Sequence, residues 1–155
     1  MPVKKLKEFL DSHQIKYITI DHSPAYTARE VASSMFVPRR EFAKTIMVRM
    51  DGGIAMAVLP ASRHVDLEKL AAAAGVENVC LASEQEFEAL FPGCETGAMP
   101  PFGNLYGMDT YVDVMLQEDD EITFNAGTHA QVIRLAFGDY EQLVQPTLYD
   151  FSVKE

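Results

Sequence analysis

The chain has 155 residues, 48% of them hydrophobic, with 13 Lys/Arg against 23 Asp/Glu and a formal net charge of −10. That length suits one domain that buries its core without disulfide or metal staples, and the composition is globular rather than disordered. No apolar run approaches the ~20 residues of a membrane span, and the acidity argues against a protein that wraps DNA.

The charge is uneven. Residues 1–69 carry 11 Lys/Arg and 8 Asp/Glu, whereas residues 70–155 carry 2 and 15. A small anionic contact is therefore open to the first half, and the acidic half serves solubility. Residues 1–8 are mixed in charge and lack an apolar signal core, so secretion is not expected. Cys80 and Cys94 lack a C-x-x-C spacing. They are expected as reduced thiols, packed as small hydrophobes, in a cytoplasmic protein.

Leu6, Phe9, Leu10 and His13 recur at helical spacing and predict an amphipathic helix over residues 2–13. Residues 15–20 alternate as a half-buried strand does, and Asp21-His22-Ser23-Pro24 breaks it. Thr27-Ala28-Arg29-Glu30 is a capping box that opens a short helix to about Met35. Two apolar runs, 42–48 and 54–59, flank Asp51-Gly52-Gly53 and predict a buried β-hairpin. Residues 61–65 read as a connector. Asp66 caps the next helix, whose alanines at 71–74 favour tight packing, and Gly75 stops it.

A short strand is expected over residues 78–81. Ser83-Glu84-Gln85-Glu86 is a second capping box, opening a helix that ends before Pro92-Gly93. A Gly/Pro-rich loop follows over 97–107. Strands are expected at 110–116, 121–125 and 131–137, with an acidic turn at 117–120. A last helix starts at Asp139 and stops at Pro146. Repeats and long linkers are lacking, so residues 1–155 read as one domain. Its class is α/β (α+β): a mixed, largely antiparallel sheet with helices packed outside it.

Three segments hold candidate chemistry. Lys44 interrupts the first strand of the hairpin. Either its stem snorkels to water, or its ammonium points into a pocket and holds something anionic or electron-rich. In Gly97-Ala98-Met99-Pro100-Pro101-Phe102-Gly103, two prolines fix the backbone and the glycines permit close approach. Such a loop is a plain turn, or it aims backbone N–H groups at an oxyanion. Phe124-Asn125-Ala126-Gly127-Thr128-His129 leaves one strand and enters the next. It is an ordinary hairpin turn, or its small residues leave room for a ligand that Asn125 and Thr128 bond. The four histidines show no i, i+4 pair and read as isolated surface or capping residues. Neither a Ser/His/Asp triad nor a metal-ligand spacing can be assembled.

Taken in order, Lys44-Thr45 on a strand, Gly97-x-x-x-Pro101 in the loop and Asn125-Ala126-Gly127 before a strand resemble the YbaK/ProX family of aminoacyl-tRNA deacylase domains, relatives of the editing insertion of bacterial prolyl-tRNA synthetase. The resemblance covers about residues 6–151. It implies a sheet closed or nearly closed into a barrel, and hydrolysis in trans of the ester joining a wrong amino acid to the 3′ end of a tRNA. It also implies roles. Lys44 would hold a phosphate or an oxygen of the terminal adenosine, or orient the aminoacyl group. Backbone amides at Gly97 would receive the oxyanion. Thr45, Ala98, Met99, Pro100, Pro101, Asn125, Gly127, Thr128 and His129 would line the substrate site, and Arg29, Arg39 and Arg40 would meet the tRNA. Attack would come from a positioned water, with no metal and no cofactor. The partners implied are mischarged tRNA and a synthetase that carries it, without DNA or membrane. The other open reading is a non-catalytic tRNA- or nucleotide-binding module that docks on a synthetase.

Overall fold

The computed structural model describes residues 2–21, 41–51, 53–95 and 97–154. The helix expected over residues 27–35, and with it Arg29, Arg39 and Arg40, lies outside them. Helix α1 (Pro2–Ser12) buries Leu6 and Leu10 completely. It ends where Gln14 takes a left-handed φ of 57° and Ile15 N–H donates back to the Leu10 carbonyl. Strand β1 (Tyr17–Asp21) follows.

Strands β2 (Phe42–Met50) and β3 (Gly53–Pro60) form the expected hairpin, registered from Ala43↔Pro60 to Met50↔Gly53. Asp51 at φ +45° supplies the left-handed geometry that a tight hairpin turn needs. Next come β4 (Arg63–Val65), α2 (Leu67–Ala74), β5 (Val79–Leu81) and α3 (Glu84–Phe87). Both expected caps are in place. The Asp66 carboxylate accepts from Lys69 N–H, and Gly75 ends α2 at φ 72°. Ser83 and Glu86 close a reciprocal capping box on α3. The rest is β6 (Thr110–Asp113), β7 (Glu121–Asn125), β8 (Gln131–Ala136), α4 (Phe137–Val144), β9 (Thr147–Tyr149) and β10 (Ser152–Lys154).

The main sheet runs β1-β8-β7-β2-β3-β6-β9, with β5 paired to β2 beside that path, and β10-β4 forms a small second sheet. β2–β7, β3–β6 and β6–β9 are parallel, and the other pairs are antiparallel. The mixed α+β architecture is thus present, and of the expected sheet, closed or nearly closed into a barrel, the described residues show no closure. β1 and β9 end the path without pairing to each other. The reason lies in the hairpin. Ala43, Met47, Met56 and Val58 pack into one core with Leu6, Phe102 and Phe124. Val48, Met50, Ala55, Ala57 and Leu59 pack into a second core with Leu70 and Phe151. A sheet covered on both faces buries its apolar surface without closing, and its strands read as near-continuous apolar runs.

Other expectations shift. The strand over 110–116 stops at Asp113, whose carboxylate accepts from Met115 N–H and turns residues 114–118 into a 3-10 helix. The last helix begins at Phe137, not Asp139. The connector at 61–65 contains β4, which pairs with β10. Cys80 is exposed and Cys94 is half-buried, so neither is the buried hydrophobe expected.

Candidate active site

The loop that starts at Glu95 is built from the inside out. Ala98, Met99, Pro100 and Pro101 are buried, while Gly97 is exposed. Tyr140, fully buried, donates its hydroxyl to the Pro101 carbonyl at 2.7 Å. Burial pushes the Tyr140 hydroxyl far above its ordinary titration range, so it stays a donor. The prolines therefore brace the loop from behind, and Gly97 carries it to the surface. Gly97 sits at φ +89°, a region that glycine enters without steric cost. Its N–H points at the Met99 sulfur at 3.2 Å. A thioether is a weak acceptor, so an incoming oxygen would be the better partner for that amide.

The turn after β7 is laced to this loop. Glu95 N–H donates to the Gly127 carbonyl, and Gly127 N–H donates to the Ala98 carbonyl, both at 2.9 Å. Gly127 sits at φ +103°. His129 N–H donates to Glu95 Oε2 at 2.9 Å. Beyond the turn, Ala130 N–H donates to Thr128 Oγ1 at 3.3 Å. The His129 ring lies against Gly97: a Cβ built there would stand 3.5 Å from Cε1 and 3.9 Å from Nε2. Glu95 Oε2 is itself 3.9 Å from His129 Nε2. Sequence reasoning missed Glu95; the spacing of the histidines read His129 as an isolated surface or capping residue, and only the family resemblance put it at the substrate site. It is buried, and spacing rules cannot see a partner 34 positions away.

The parallel pairing of β2 and β7 runs Phe42↔Thr123 and Ala43↔Phe124, and Lys44 and Asn125 are the next residue on each strand. Lys44 is half-buried, and Asn125 is 8% exposed. Asn125 Oδ1 is buried without a hydrogen-bond donor among the described residues. On the other side of Gly97, a shallow recess of about 270 Å³ is lined by Thr45, Met47, Phe87 and Met99, with Leu81 and Glu84 also on its wall. Thr45, Gly97 and Met99 share this recess, and Lys44 is not part of its lining. Of the expected site residues, His129 lies against Gly97, and Lys44 and Asn125 stand at the ends of the β2–β7 pairing.

Cys94 is no nucleophile here. Burial pushes its thiol up, and the Tyr106 hydroxyl at 3.9 Å only partly counters this. Two other cations of residues 1–69 are engaged within the protein: Arg49 is ion-paired with Glu86, and Arg63 donates to Ser152 Oγ at 2.6 Å.

The family model for the aminoacyl-tRNA editing domain matches residues 22–143. The multifunctional Ser/Thr-tRNA deacylase ProXp-y of Escherichia coli (strain K12) is 38% identical over 97 residues, which are 62% of this chain and 58% of that protein. The match thus spans less than two thirds of that relative's length. EbsC of Enterococcus faecalis, provisionally assigned as a Cys-tRNA(Pro)/Cys-tRNA(Cys) deacylase, is 31% identical over 130 residues, covering 83% of this chain and 79% of EbsC. A crystal structure provisionally described as a trans-editing enzyme for prolyl tRNA synthetase has the same fold, with a TM-score of 0.83 over 99% of this chain and 97% of that one at 19% identity. With the family model over residues 22–143 and EbsC matched over most of its length, the chain belongs to the aminoacyl-tRNA editing domain family.

Proposed function

We propose that this protein is an aminoacyl-tRNA deacylase acting in trans on mischarged tRNA. The observation that carries the reading is the exposed Gly97 N–H, spent on a thioether sulfur beside His129. The ester carbonyl oxygen takes the place of that sulfur. Water then attacks the carbonyl carbon, and the N–H meets the oxyanion as charge develops, when a fixed donor contributes most. Collapse breaks the bond to the ribose oxygen, which takes up a proton, and the amino acid leaves as its acid. An aminoacyl ester is already activated, so a positioned water suffices, and the neighbouring ribose hydroxyl of the substrate can help to orient it.

Lys44 and Asn125 serve the terminal adenosine in this reading. The ammonium holds a phosphate or ribose oxygen, and Asn125 completes the contact. Thr45, Met47 and Met99 face the aminoacyl group. With Arg49 and Arg63 engaged in contacts within the protein, fewer cations of residues 1–69 are left for phosphates. The contact is thus confined to the single-stranded 3′ end, and a synthetase that carries the tRNA is a fitting source of substrate. The test is hydrolysis of a panel of mischarged tRNAs by the purified protein. Turnover on one or a few of them is expected. Retained tRNA binding with no turnover across the panel would replace this reading with the non-catalytic binding module.

A further inference from the structure

We infer that Glu95 is a positioning residue of this site, whose carboxylate sets the His129 imidazole against Gly97 and so shapes the space for the ester. The inference deepens the deacylase reading and rests on it for its catalytic consequence. Two of the bonds between the loop and the turn are backbone to backbone, Glu95 to Gly127 and Gly127 to Ala98. They fix the middle of the turn, Ala126 N–H closes it by donating to the Gln131 carbonyl, and a side chain ties His129 to the loop. Glu95 Oε2 supplies that last bond by accepting from His129 N–H at 2.9 Å. The same oxygen lies 3.9 Å from Nε2 of the ring. One carboxylate oxygen thus addresses both the backbone and the ring edge of the residue that touches Gly97.

Exposure separates this role from a purely structural one. The His129 side chain is 7% exposed, whereas that of Glu95 is 52% exposed. Water competes for a half-exposed acceptor, so the bond adds little to folding. Its effect is geometric. Without it the His129 amide loses this acceptor, and the seat of the ring against Gly97 loses one of its holds. A small misplacement beside a reacting carbonyl costs far more in rate than in stability.

The test compares Glu95→Ala and Glu95→Gln in the full chain, using the mischarged tRNA that the panel identifies. Gln retains an acceptor oxygen for the His129 amide. Glu95→Ala is expected to lower kcat by ~10-fold or more with a nearly unchanged KM and melting temperature. Glu95→Gln should keep most of the rate. A second readout needs no turnover: hydrogen exchange of the His129 amide and the NMR signals of its ring. Both should change in Glu95→Ala and stay near wild type in Glu95→Gln. A wild-type kcat in Glu95→Ala, equal losses in the two variants, unchanged His129 exchange, or a failure of Glu95→Ala to fold would each overturn the inference. If the wild-type protein turns over nothing, the deacylase reading falls, and the His129 signals alone decide whether Glu95 positions that residue.

Discussion

Two hydrogen-bonded clusters tie distant parts of this chain together, and they are finished differently. In the first, Asp113 and Ser152 are fully buried. Asp113 Oδ1 accepts from the N–H groups of Phe151 and Ser152 at 3.0 and 3.1 Å. Oδ2 accepts from Ser152 Oγ at 2.8 Å and Met115 N–H at 3.2 Å. Arg63 then donates to Ser152 Oγ and to its carbonyl. In the second cluster the Gly97 amide ends on sulfur, Asn125 Oδ1 has no donor among the described residues, and Glu95 stands half in water. Buried polar groups that are left unsatisfied are costly, so folded proteins seldom keep them without a use. The satisfied cluster suits stability, and under the proposed function the unfinished one is where the substrate binds.

This contrast breaks first if the satisfied cluster proves dispensable. Asp113→Ala strips the acceptor from three backbone amides and a hydroxyl in a dry interior, while the apolar contacts around it stay. The expected loss is ~3 kcal/mol or more, since hydrogen bonds to a charged group are worth ~1.5–3 kcal/mol each and orphaned donors add their desolvation. Urea denaturation measures it. Deacylation per folded molecule should be unchanged. A loss below ~1 kcal/mol would mean that the cluster is not what holds the C-terminal segment.

The reverse profile is expected at Gly97. Gly97→Ala forces a side chain to φ +89° and sets a methyl against the His129 ring. The strain costs ~1–2 kcal/mol. Turnover should fall ~100-fold, the scale of losing one oxyanion donor, because the methyl stands where the ester must approach. Kinetics and thermal melting on the same preparation separate the two effects. Equal losses in free energy would make Gly97 a turn residue and no more.

Lys44→Ala sharpens the contrast further. If the ammonium holds an oxygen of the adenosine, activity should drop at least ~10-fold, the lower end of a charge-assisted bond worth ~1.5–3 kcal/mol. Stability should barely move. A fully active variant would mean that the lysine merely snorkels from β2 and that the register beside Asn125 is incidental.

Legibility in the sequence follows the same divide between local and distant. Caps are local, so Asp66, Gly75 and the Ser83–Glu86 box were legible and stand where expected. The hairpin was legible because Asp51-Gly52-Gly53 sits between two apolar runs. Lys44, Gly97 and the 125–129 turn were each legible as oddities of their own segments. That they belong together came with the family resemblance and not from the segments, and the bonds that join the Gly97 loop to the 125–129 turn run between residues some 30 positions apart. Three-residue strands such as β4 and β10 have too few side chains to show a period, so their pairing stayed hidden. Asp113 looked like one more acid in an acidic half, and only burial distinguishes it from a solvated charge. A sheet closed or nearly closed into a barrel came with the family resemblance, and among the described residues a core on each face of β2 and β3 covers the sheet without closure.

The smallest effect is expected at Arg49, and it tests to which side of the contrast that residue belongs. Counted among cations of the basic half, Arg49 is a candidate for tRNA contact. In the fold its Nε donates to Glu86 Oε2 at 2.6 Å, and Glu86 in turn caps α3 through Ser83 N–H. Hydrogen bonding and charge raise the Arg49 guanidinium above its ordinary range and hold the Glu86 carboxyl below its ordinary value of 4.5. A depressed folded value means that the pair stabilises the protein above the unfolded carboxyl's titration. That contribution fades as pH falls below 4.5 through the folded value. Both side chains lie near the surface, so the contribution is small and screened by salt. Arg49→Ala should therefore lower the melting temperature slightly at pH 7 and low salt. The difference from wild type should shrink in high salt and vanish in acid, and tRNA affinity and kcat should stay as they were. A variant with unaltered melting but weakened tRNA binding would put Arg49 in the substrate site, and the line drawn between satisfied and waiting groups would have to be redrawn.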